Sequence, residues 1–217
     1  MSESVAVVDG GSGNLRSAEK ALVRAARSLG LDRRVGVTAD PDRVAGADRV
    51  VLPGVGAFAA CRTGLETVDG MTEALATVRR AGRPILGICV GMQLLADRGF
   101  EYGVEPGLGW IAGDVRPLDP GEPRYKIPHM GWNALFPTHK GSRHPLLDGV
   151  VPGDQVYFVH SYRFVPASLT DVLAEVEHGR RFAAVVGRDA VVGTQFHPEK
   201  SQRVGQTMLR NFLRWRP

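Results

Sequence analysis

Short apolar segments alternate with stretches of helical spacing through the first half of the chain. The apolar segments that predict strands are Val5–Val8, Arg34–Val37, Arg49–Leu52 and Pro84–Ile88. The stretches that predict helices are Asn14–Leu29, Ala57–Glu66, Thr72–Arg80 and Gly91–Asp97. Because strands and helices alternate in this way, we expect a mostly parallel sheet with helices on both of its faces.

The pattern changes after Gly107, where apolar runs follow one another closely with polar turns between them. These runs are Tyr157–Val159, Val172–Val176, Phe182–Val186 and Ala190–Gln195. They predict an antiparallel or mixed sheet added to the parallel one. The chain closes with an amphipathic helix over Gln202–Trp215. Since no repeat, low-complexity segment or linker interrupts the sequence, we expect residues 1–217 to form a single α/β domain with an open, mostly parallel or mixed sheet.

Composition narrows the class of protein. The net charge is +4, but the basic residues are scattered and no run of five or more occurs, which favours a solvated surface over a nucleic-acid site. Cys61 and Cys89 are the two cysteines, and so small a number suggests free thiols in a reducing compartment. The N-terminus lacks the pattern of a secretory signal, and no apolar run is long enough to span a membrane. We therefore expect a cytoplasmic protein, without a membrane partner.

A cysteine framed by glycines follows the fourth predicted strand. Residues 87–91 read GICVG, which has the form of the nucleophile elbow G-x-S-x-G with cysteine in place of serine. Glycines are needed there because the strained turn brings the backbone close to the neighbouring strand and helix. The turn places the thiol of Cys89 at a helix N-terminus, where the helix dipole favours the thiolate. A buried core cysteine is the ordinary alternative, and it remains our expectation for Cys61, which has no such frame.

A histidine and a glutamate two residues apart follow the last predicted strand. Residues i and i+2 of an extended segment project to the same side, so His197 and Glu199 can pair, and Pro198 between them stiffens the segment. An isolated pair of this kind is usually a surface accident. Here it follows a cysteine elbow, and a nucleophilic cysteine needs a base that is oriented by an acid. We therefore predict a catalytic triad of Cys89, His197 and Glu199.

A glycine-rich loop ends the third predicted strand, at the sheet edge where open α/β folds bind their ligands. Its sequence over residues 53–56 is PGVG. The N–H groups of Val55 and Val90 could form an oxyanion hole, since Val90 directly follows the nucleophile. Taken alone, the loop would be read as a tight turn. A second glycine-rich loop, GGSGN at residues 10–14, lacks the third glycine of a dinucleotide site and has no Walker pattern, so we predict no nucleotide or other cofactor there. The histidines and cysteines show no metal-ligand spacing, and no metal site is predicted.

In this order along the chain, the motifs resemble the class I glutamine amidotransferases of the triad type, which have a flavodoxin-like fold. The resemblance runs from Val5 to the C-terminal helix. Within that family the sequence is similar to the glutaminase subunits of imidazole glycerol phosphate synthases. The strings that carry the similarity are GGSGNLRS at 10–17, LPGVGAF at 52–58, CVGMQLL at 89–95, PHMGWN at 128–133, FVHSYRF at 158–164 and QFHPEKS at 195–201.

The resemblance implies a substrate and a partner. The substrate would be glutamine, hydrolysed to glutamate and ammonia through a thioester on Cys89. The partner would be a separate (β/α)₈ cyclase subunit in a heterodimer, which uses the ammonia to form imidazole glycerol phosphate and an aminoimidazole carboxamide ribotide in histidine biosynthesis. The implied glutamine contacts are Gly54, Gln93, Glu101 and the backbone of Ser161 and Tyr162. The residues implied to face the cyclase are Asn14, Met130, Trp132, Tyr157 and Lys200.

Two other interpretations stay open at this point. An amidotransferase of the same class could serve another acceptor enzyme, such as a pyridoxal phosphate or aminodeoxychorismate synthase, although PHMGWN argues against it. A chain of this fold could also be a non-catalytic regulatory or binding subunit, which the intact triad disfavours.

Overall fold

The computed structural model describes residues 3–217. The strands in chain order are β1 (Glu3–Val8), β2 (Arg33–Thr38), β3 (Arg49–Gly54), β4 (Ile85–Cys89), β5 (Arg98–Gly99), β6 (Glu105–Pro106), β7 (Gly113–Pro117), β8 (His129–Pro137), β9 (Asp154–His160), β10 (Tyr162–Pro166), β11 (Val172–His178), β12 (Arg180–Arg188) and β13 (Val191–Thr194). The α-helices are α1 (Leu15–Ser28), α2 (Pro41–Ala45), α3 (Phe58–Glu66), α4 (Met71–Arg80), α5 (Val90–Gln93) and α6 (Gln202–Arg214). None of these helices is long and apolar enough to cross a membrane.

A nine-stranded sheet forms the centre of the fold, in the order β2-β1-β3-β4-β13-β12-β11-β8-β9. Its first five strands run parallel to one another, as the alternating pattern predicts. β3 and β4 are buried at every position, because strands in the middle of a parallel sheet are covered on both faces. Helix α1 packs against α6, and α4 packs against α2 and α3.

The other half of the sheet is antiparallel, so the sheet as a whole is mixed, as expected. β12 joins β13 to β11, and β8 lies between β11 and β9. Strand β8 has no counterpart among the predicted strands because glycine, asparagine and proline within its sequence weaken the strand signal. A second sheet of four short strands, in the order β10-β7-β5-β6, is likewise absent from the sequence prediction.

The helix predicted over Gly91–Asp97 is wrong beyond Gln93, where α5 ends. The backbone carbonyls that would continue the helix accept hydrogen bonds from a later loop instead. Leu94 O accepts from the N–H of Leu108 at 2.7 Å, and Leu95 O accepts from Trp110 N at 2.9 Å. Because this loop satisfies the carbonyls, the chain can leave the helix after one turn without burying unpaired polar groups.

The sheet brings the predicted motifs to one edge. Gly54, at the end of β3, pairs with Cys89 at the end of β4, and Thr194 at the end of β13 pairs with Ile88. Parallel strands present their carboxyl ends at the same edge of a sheet. The PGVG loop, the cysteine elbow and the segment that carries His197 therefore leave the sheet side by side.

Candidate active site

Cys89 lies at a strained turn between β4 and α5. Its backbone has φ 55° and ψ −110°, a conformation that side-chain-bearing residues rarely adopt. A Cβ atom at Gly87 would lie 2.5 Å from the carbonyl oxygen of Gly91, and one at Gly91 would collide with the carbonyl oxygen of Leu52. Only glycine fits on either side of the cysteine, which is the backbone constraint that the elbow motif implies. Strain of this kind is characteristic of functional sites.

His197 and Glu199 form a buried pair beside the elbow. His197 Nδ1 donates a hydrogen bond to Glu199 Oε1 at 2.8 Å, and each side chain is only 2% exposed. The sequence predicts that an extended segment places the two side chains on the same side. Instead, Pro198–Lys200 forms a 3-10 turn that brings the carboxylate of Glu199 back to the imidazole ring. Burial by itself lowers the pKa of His197, but the interactions with Cys89 and Glu199 outweigh it and raise that pKa to about 9. His197 is therefore an imidazolium at neutral pH when it faces the thiolate.

The thiol of Cys89 is buried among polar groups. Its Sγ atom lies 3.9 Å from the carbonyl oxygen of Val159 and 3.7 Å from Nε2 of Gln195. Gln195 has no exposed surface at all. His197 Nε2 is also buried, and among residues 3–217 it makes no hydrogen bond of standard geometry. Its ring nevertheless lies close enough to Cys89 for the thiol to raise its pKa.

A cavity of about 330 Å³ opens above the thiol. The residues that line it are Val55, Gly56, Cys89, Val90, Gln93, Glu101, Pro128, Val159, His160, Ser161, Tyr162 and His197. Larger cavities occur beside Trp215 and between α1 and α6, but neither is lined by Cys89 or His197, so size alone does not locate the site. The cavity above the elbow is the one that joins a candidate nucleophile to a candidate base.

Comparison with known proteins places this site in a family. The family model described as glutamine amidotransferase class-I matches residues 9–215. The imidazole glycerol phosphate synthase subunit HisH of Rhodospirillum rubrum is 60% identical, over 98% of this chain and 99% of its own length. The corresponding subunit of Brucella suis is 54% identical, again over 98% of this chain and 99% of its own. The chain belongs to the class-I glutamine amidotransferases, in the branch of the HisH subunits.

Solved structures show the same fold at much lower identity. PurLQS from Thermotoga maritima is 19% identical, has a TM-score of 0.71 and covers 98% of both chains. The glutaminase domain of CTPS from Trypanosoma brucei is 15% identical with a TM-score of 0.66, over 98% of this chain and 92% of its own. The α/β fold with an open mixed sheet is therefore that of the class-I amidotransferases.

The two predicted oxyanion donors of this amidotransferase both line the cavity. Val90 is the first residue of α5, so its N–H has no acceptor within the helix and is free to face a ligand. Val55 is 37% exposed, and its carbonyl accepts a hydrogen bond from the Cys61 thiol at 3.2 Å. Cys61 also lies 3.1 Å from Ser12 Oγ, and burial raises its pKa. Cys61 thus agrees with its expected packing role, since it remains a neutral thiol that braces the PGVG loop.

Four of the five predicted glutamine contacts line the cavity, namely Gln93, Glu101, Ser161 and Tyr162. The fifth, Gly54, packs against the elbow, where an added Cβ would lie 2.7 Å from the nitrogen of Gly91. The side-chain NH₂ group of Gln93 donates to Tyr162 O and to Gln195 Oε1, both at 3.0 Å. Both of its hydrogens are therefore used, and Gln93 can offer a ligand only its oxygen.

Glu101 has a structural contact of its own in addition to its place at the cavity. Its Oε2 accepts a hydrogen bond from the N–H of Phe58, the first residue of α3, at 2.7 Å. A carboxylate at that position satisfies one of the free donors of the helix N-terminus. The Glu101 loop is therefore tied to the helix that directly follows the PGVG loop.

The predicted partner-facing residues are mostly on one surface. Met130 is 66% exposed and Trp132 is 47% exposed, so neither belongs to the core. The ring of Trp132 lies 6.0 Å from that of Tyr157, and Lys200 Nζ lies 5.8 Å from the Tyr157 ring centroid. Asn14 directly precedes α1, in the loop that leads into that helix.

Three buried residues around the site, namely Gln195, His160 and His129, have no role that the sequence predicts. Gln195 contacts the thiol of Cys89. His160 lines the cavity, and its ring is hydrogen-bonded to the ring of His129 at 3.0 Å. Gln195 lies two residues before the histidine of the triad, which is the only signal that could have marked it. Among residues 3–217, no group of three His, Cys, Asp or Glu side chains is arranged to hold a metal ion.

Proposed function

We propose that this amidotransferase hydrolyses glutamine through a thioester on Cys89, with His197 as the proton carrier and Glu199 as the acid that orients it. The observation that carries the proposal is the buried His197–Glu199 pair beside a cysteine held at a strained elbow, on the floor of a cavity. Cysteine nucleophiles are activated by such a base, and the base in turn by an orienting acid.

The reaction divides into two steps. His197 takes the proton of the Cys89 thiol, and the thiolate attacks the carboxamide carbon of glutamine. The negative charge that develops on the carboxamide oxygen faces the N–H groups of Val55 and Val90, which supply the electrostatic stabilisation. The imidazolium gives its proton to the leaving nitrogen, and ammonia departs from the thioester. His197 then takes a proton from water, whose oxygen attacks the thioester carbon and releases glutamate.

Recognition of glutamine uses the rest of the cavity. Glu101 is anionic and suits the α-ammonium group, while backbone groups of Ser161 and Tyr162 suit the carboxylate. Gln93 contributes its side-chain oxygen. Gly54 acts less directly, by allowing the PGVG loop to approach the elbow.

The ammonia is proposed to pass to a separate (β/α)₈ cyclase subunit. The support is that the similar proteins are named as subunits of imidazole glycerol phosphate synthase. An exposed apolar surface also supports it, because Met130 and Trp132 expose large side chains that a monomer would normally bury. Tyr157 and Lys200 extend this surface, and Asn14 is a further candidate contact. We further propose that residues 1–217 act as one domain, in the cytoplasm, where both cysteines stay reduced.

One substitution tests the nucleophile. Cys89→Ala should abolish glutamine-dependent product formation by the complex with the cyclase, while product formation from added ammonium persists. A glutamine analogue with an electrophilic δ-carbon should alkylate Cys89 in the wild-type protein and leave Cys61 unmodified. Glutamine-dependent turnover in Cys89→Ala would disprove the assignment.

A further inference from the structure

A chain of buried amide groups ends at the sulfur of Cys89. Gln93 Nε2 donates one hydrogen bond to Tyr162 O at 3.0 Å and a second to Gln195 Oε1 at 3.0 Å. Gln195 Nε2 in turn points at Cys89 Sγ across 3.7 Å, a separation that suits a donor to the large sulfur atom. Both glutamines are at least 97% buried, so no bulk water competes for these groups.

The orientation of both amides follows from a backbone carbonyl. Tyr162 O can only accept, so the group of Gln93 that faces it must be the NH₂ group. The same NH₂ group faces Gln195, which must therefore present its oxygen to Gln93. Rotating either amide by half a turn would place two oxygens or two NH₂ groups against each other. The nitrogen of Gln195 is left to face the sulfur, and this holds without any choice of hydrogen position.

The carbonyl that anchors the chain is itself held from its other side. Asn133 Nδ2 donates to Glu177 O at 2.8 Å and lies 3.1 Å from His129 Nε2, which must therefore accept. His129 Nδ1 then donates to His160 Nε2 at 3.0 Å, and His160 Nδ1 donates to Tyr162 O at 2.8 Å. Burial lowers the pKa of His129 to about 3 and that of His160 to about 4, so both rings are neutral at physiological pH. The anchor therefore stays fixed across the working range of pH.

We propose that Gln195 is a catalytic residue, which donates a hydrogen bond from Nε2 to the thiolate of Cys89 and stabilises it before it attacks. The proposal rests on the proposed role of Cys89 as the nucleophile. A buried thiolate needs donors, because burial away from water disfavours charge. His197 supplies one as the imidazolium, and Gln195 supplies a second without adding charge or a proton that could be lost. Gln93 is a positioning residue in this arrangement, since it touches Gln195 and not the sulfur.

Other titratable groups surround the thiol and must be kept constant in a test. They lie in four segments: helix α3, the loop that follows β5, the end of β9 with the start of β10, and the turn that follows β13. They are Cys61, Glu101, His160, Tyr162, His197 and Glu199. A substitution at Gln195 removes no charge, so any change in the titration of Cys89 that it causes reflects the lost donor.

The test compares Gln195→Met with Thr194→Val. Methionine has a volume similar to glutamine and no side-chain N–H group. Thr194 is buried like Gln195, but its hydroxyl donates to Phe196 O and, among the described residues, makes no hydrogen bond to the sulfur. The rate of Cys89 alkylation by iodoacetamide is measured against pH by mass spectrometry of the peptides. Alkylation of buried Cys61 in the same samples reports any loss of the fold.

We expect the midpoint of the alkylation profile to rise by about one pH unit in Gln195→Met, because a hydrogen bond to a charged group is lost. The glutaminase kcat should fall by roughly tenfold with a smaller change in KM. Thr194→Val should keep the wild-type midpoint. An unchanged midpoint in a folded Gln195→Met protein would overturn the proposal, and so would an equal rise in Thr194→Val.

A measurement on the wild-type protein covers the case in which Gln195→Met does not fold. With glutamine side chains labelled with ¹⁵N, the NH₂ signal of Gln195 should move downfield as Cys89 ionises and should lose this response once Cys89 is alkylated. The absence of any glutamine side-chain signal with that response would overturn the proposal. If the electrophilic glutamine analogue fails to label Cys89, the proposed function fails. If the analogue labels Cys89 but the midpoint of the alkylation profile is the same in wild type and Gln195→Met, only the role of Gln195 fails.

Discussion

Replacement of Glu199 by glutamine removes one negative charge from the buried pair and leaves its shape intact. In the wild-type structure Oε1 accepts the hydrogen bond from His197 Nδ1 at 2.8 Å, while Oε2 has no partner among residues 3–217. A glutamine at this position can place its carbonyl oxygen at the site of Oε1 and its NH₂ group in the unpartnered position. His197 then keeps its proton on Nδ1, so Glu199→Gln loses the charge and keeps the tautomer.

The size of the effect follows from the titration of His197. A pKa raised from 6.5 to about 9, against the opposing effect of burial, favours the imidazolium by up to about 3 kcal/mol. The carboxylate of Glu199 supplies part of this stabilisation, because an opposite charge in hydrogen-bond contact typically shifts a pKa by about one to three units. Without the carboxylate, the pKa of His197 falls. The alkaline limb of kcat/KM, where the imidazolium loses its proton, should therefore move to lower pH in Glu199→Gln by about one unit or more.

The assay is the glutaminase rate of the complex with the cyclase, for wild type, Glu199→Gln and His197→Ala, over a pH range that extends to both sides of the wild-type His197 pKa of about 9. His197→Ala should lower kcat by about 10²–10⁴-fold, because it removes the group that moves the protons. Glu199→Gln should lower kcat by less, with the greatest loss on the alkaline side. Equal or reversed losses, or an alkaline limb that stays in place in Glu199→Gln, would refute the assigned roles.

Three further predictions concern stability and control. His129 and His160 have folded-state pKa values of about 3 and about 4, below the ordinary 6.5, so their contribution to stability is present above pH 6.5 and is lost as the pH falls from there to about 3. The free energy of unfolding, measured by urea titration, should drop over this window, and it should drop less in His129→Leu. Gly91→Ala should unfold the elbow and abolish glutaminase activity, because its Cβ would collide with a β3 carbonyl, whereas Gly36→Ala meets only an arginine side chain at 3.6 Å and should keep both the melting temperature and the activity. The isolated chain should be a slow glutaminase, and the cyclase with bound acceptor analogue should stimulate it; Lys200→Ala should reduce that stimulation. Full activity of the isolated chain, or equal stimulation of the wild-type and Lys200→Ala proteins, would contradict this.

The parallel half of the fold could be predicted because each of its signals is local. Each strand before residue 90 is a short apolar run and most of the helices have clear apolar spacing, so the order of elements specifies the sheet. The elbow could be predicted as well, because its glycines are required by backbone contacts that are the same wherever the turn occurs. His197 and Glu199 were paired by the right spacing, although the turn at Pro198–Lys200 rather than an extended strand brings them together.

The elements that could not be predicted depend on contacts distant in sequence. Helix α5 stops at Gln93 because a later loop binds the carbonyls of the next two residues, Leu94 and Leu95. The sequence of α5 itself contains no signal for this ending. Strand β8 forms because β9 and β11 flank it, despite residues that disfavour strands. The hydrogen-bond chain that reaches Gln195 joins residues from several strands, and its meaning depends on distances that no local pattern contains.

Backbone hydrogen bonds join the exposed aromatic surface around Tyr157 directly to His197, the proposed catalytic base. Tyr157 presents its ring to Trp132 and Lys200, while its carbonyl accepts a hydrogen bond from the N–H of His197 at 3.0 Å. The N–H of Tyr157 donates to Ser201 Oγ at 3.0 Å, and that hydroxyl donates to the carbonyl of His197 at 2.7 Å. A partner that shifts the Tyr157 ring therefore acts on both peptide groups of the base through Tyr157's own backbone and one serine hydroxyl. Such a shift changes the glutaminase rate only if the partner binds the conformation with one position of His197 more tightly than the conformation with another. The contacts at Tyr157 that transmit the change must therefore also distinguish these two conformations.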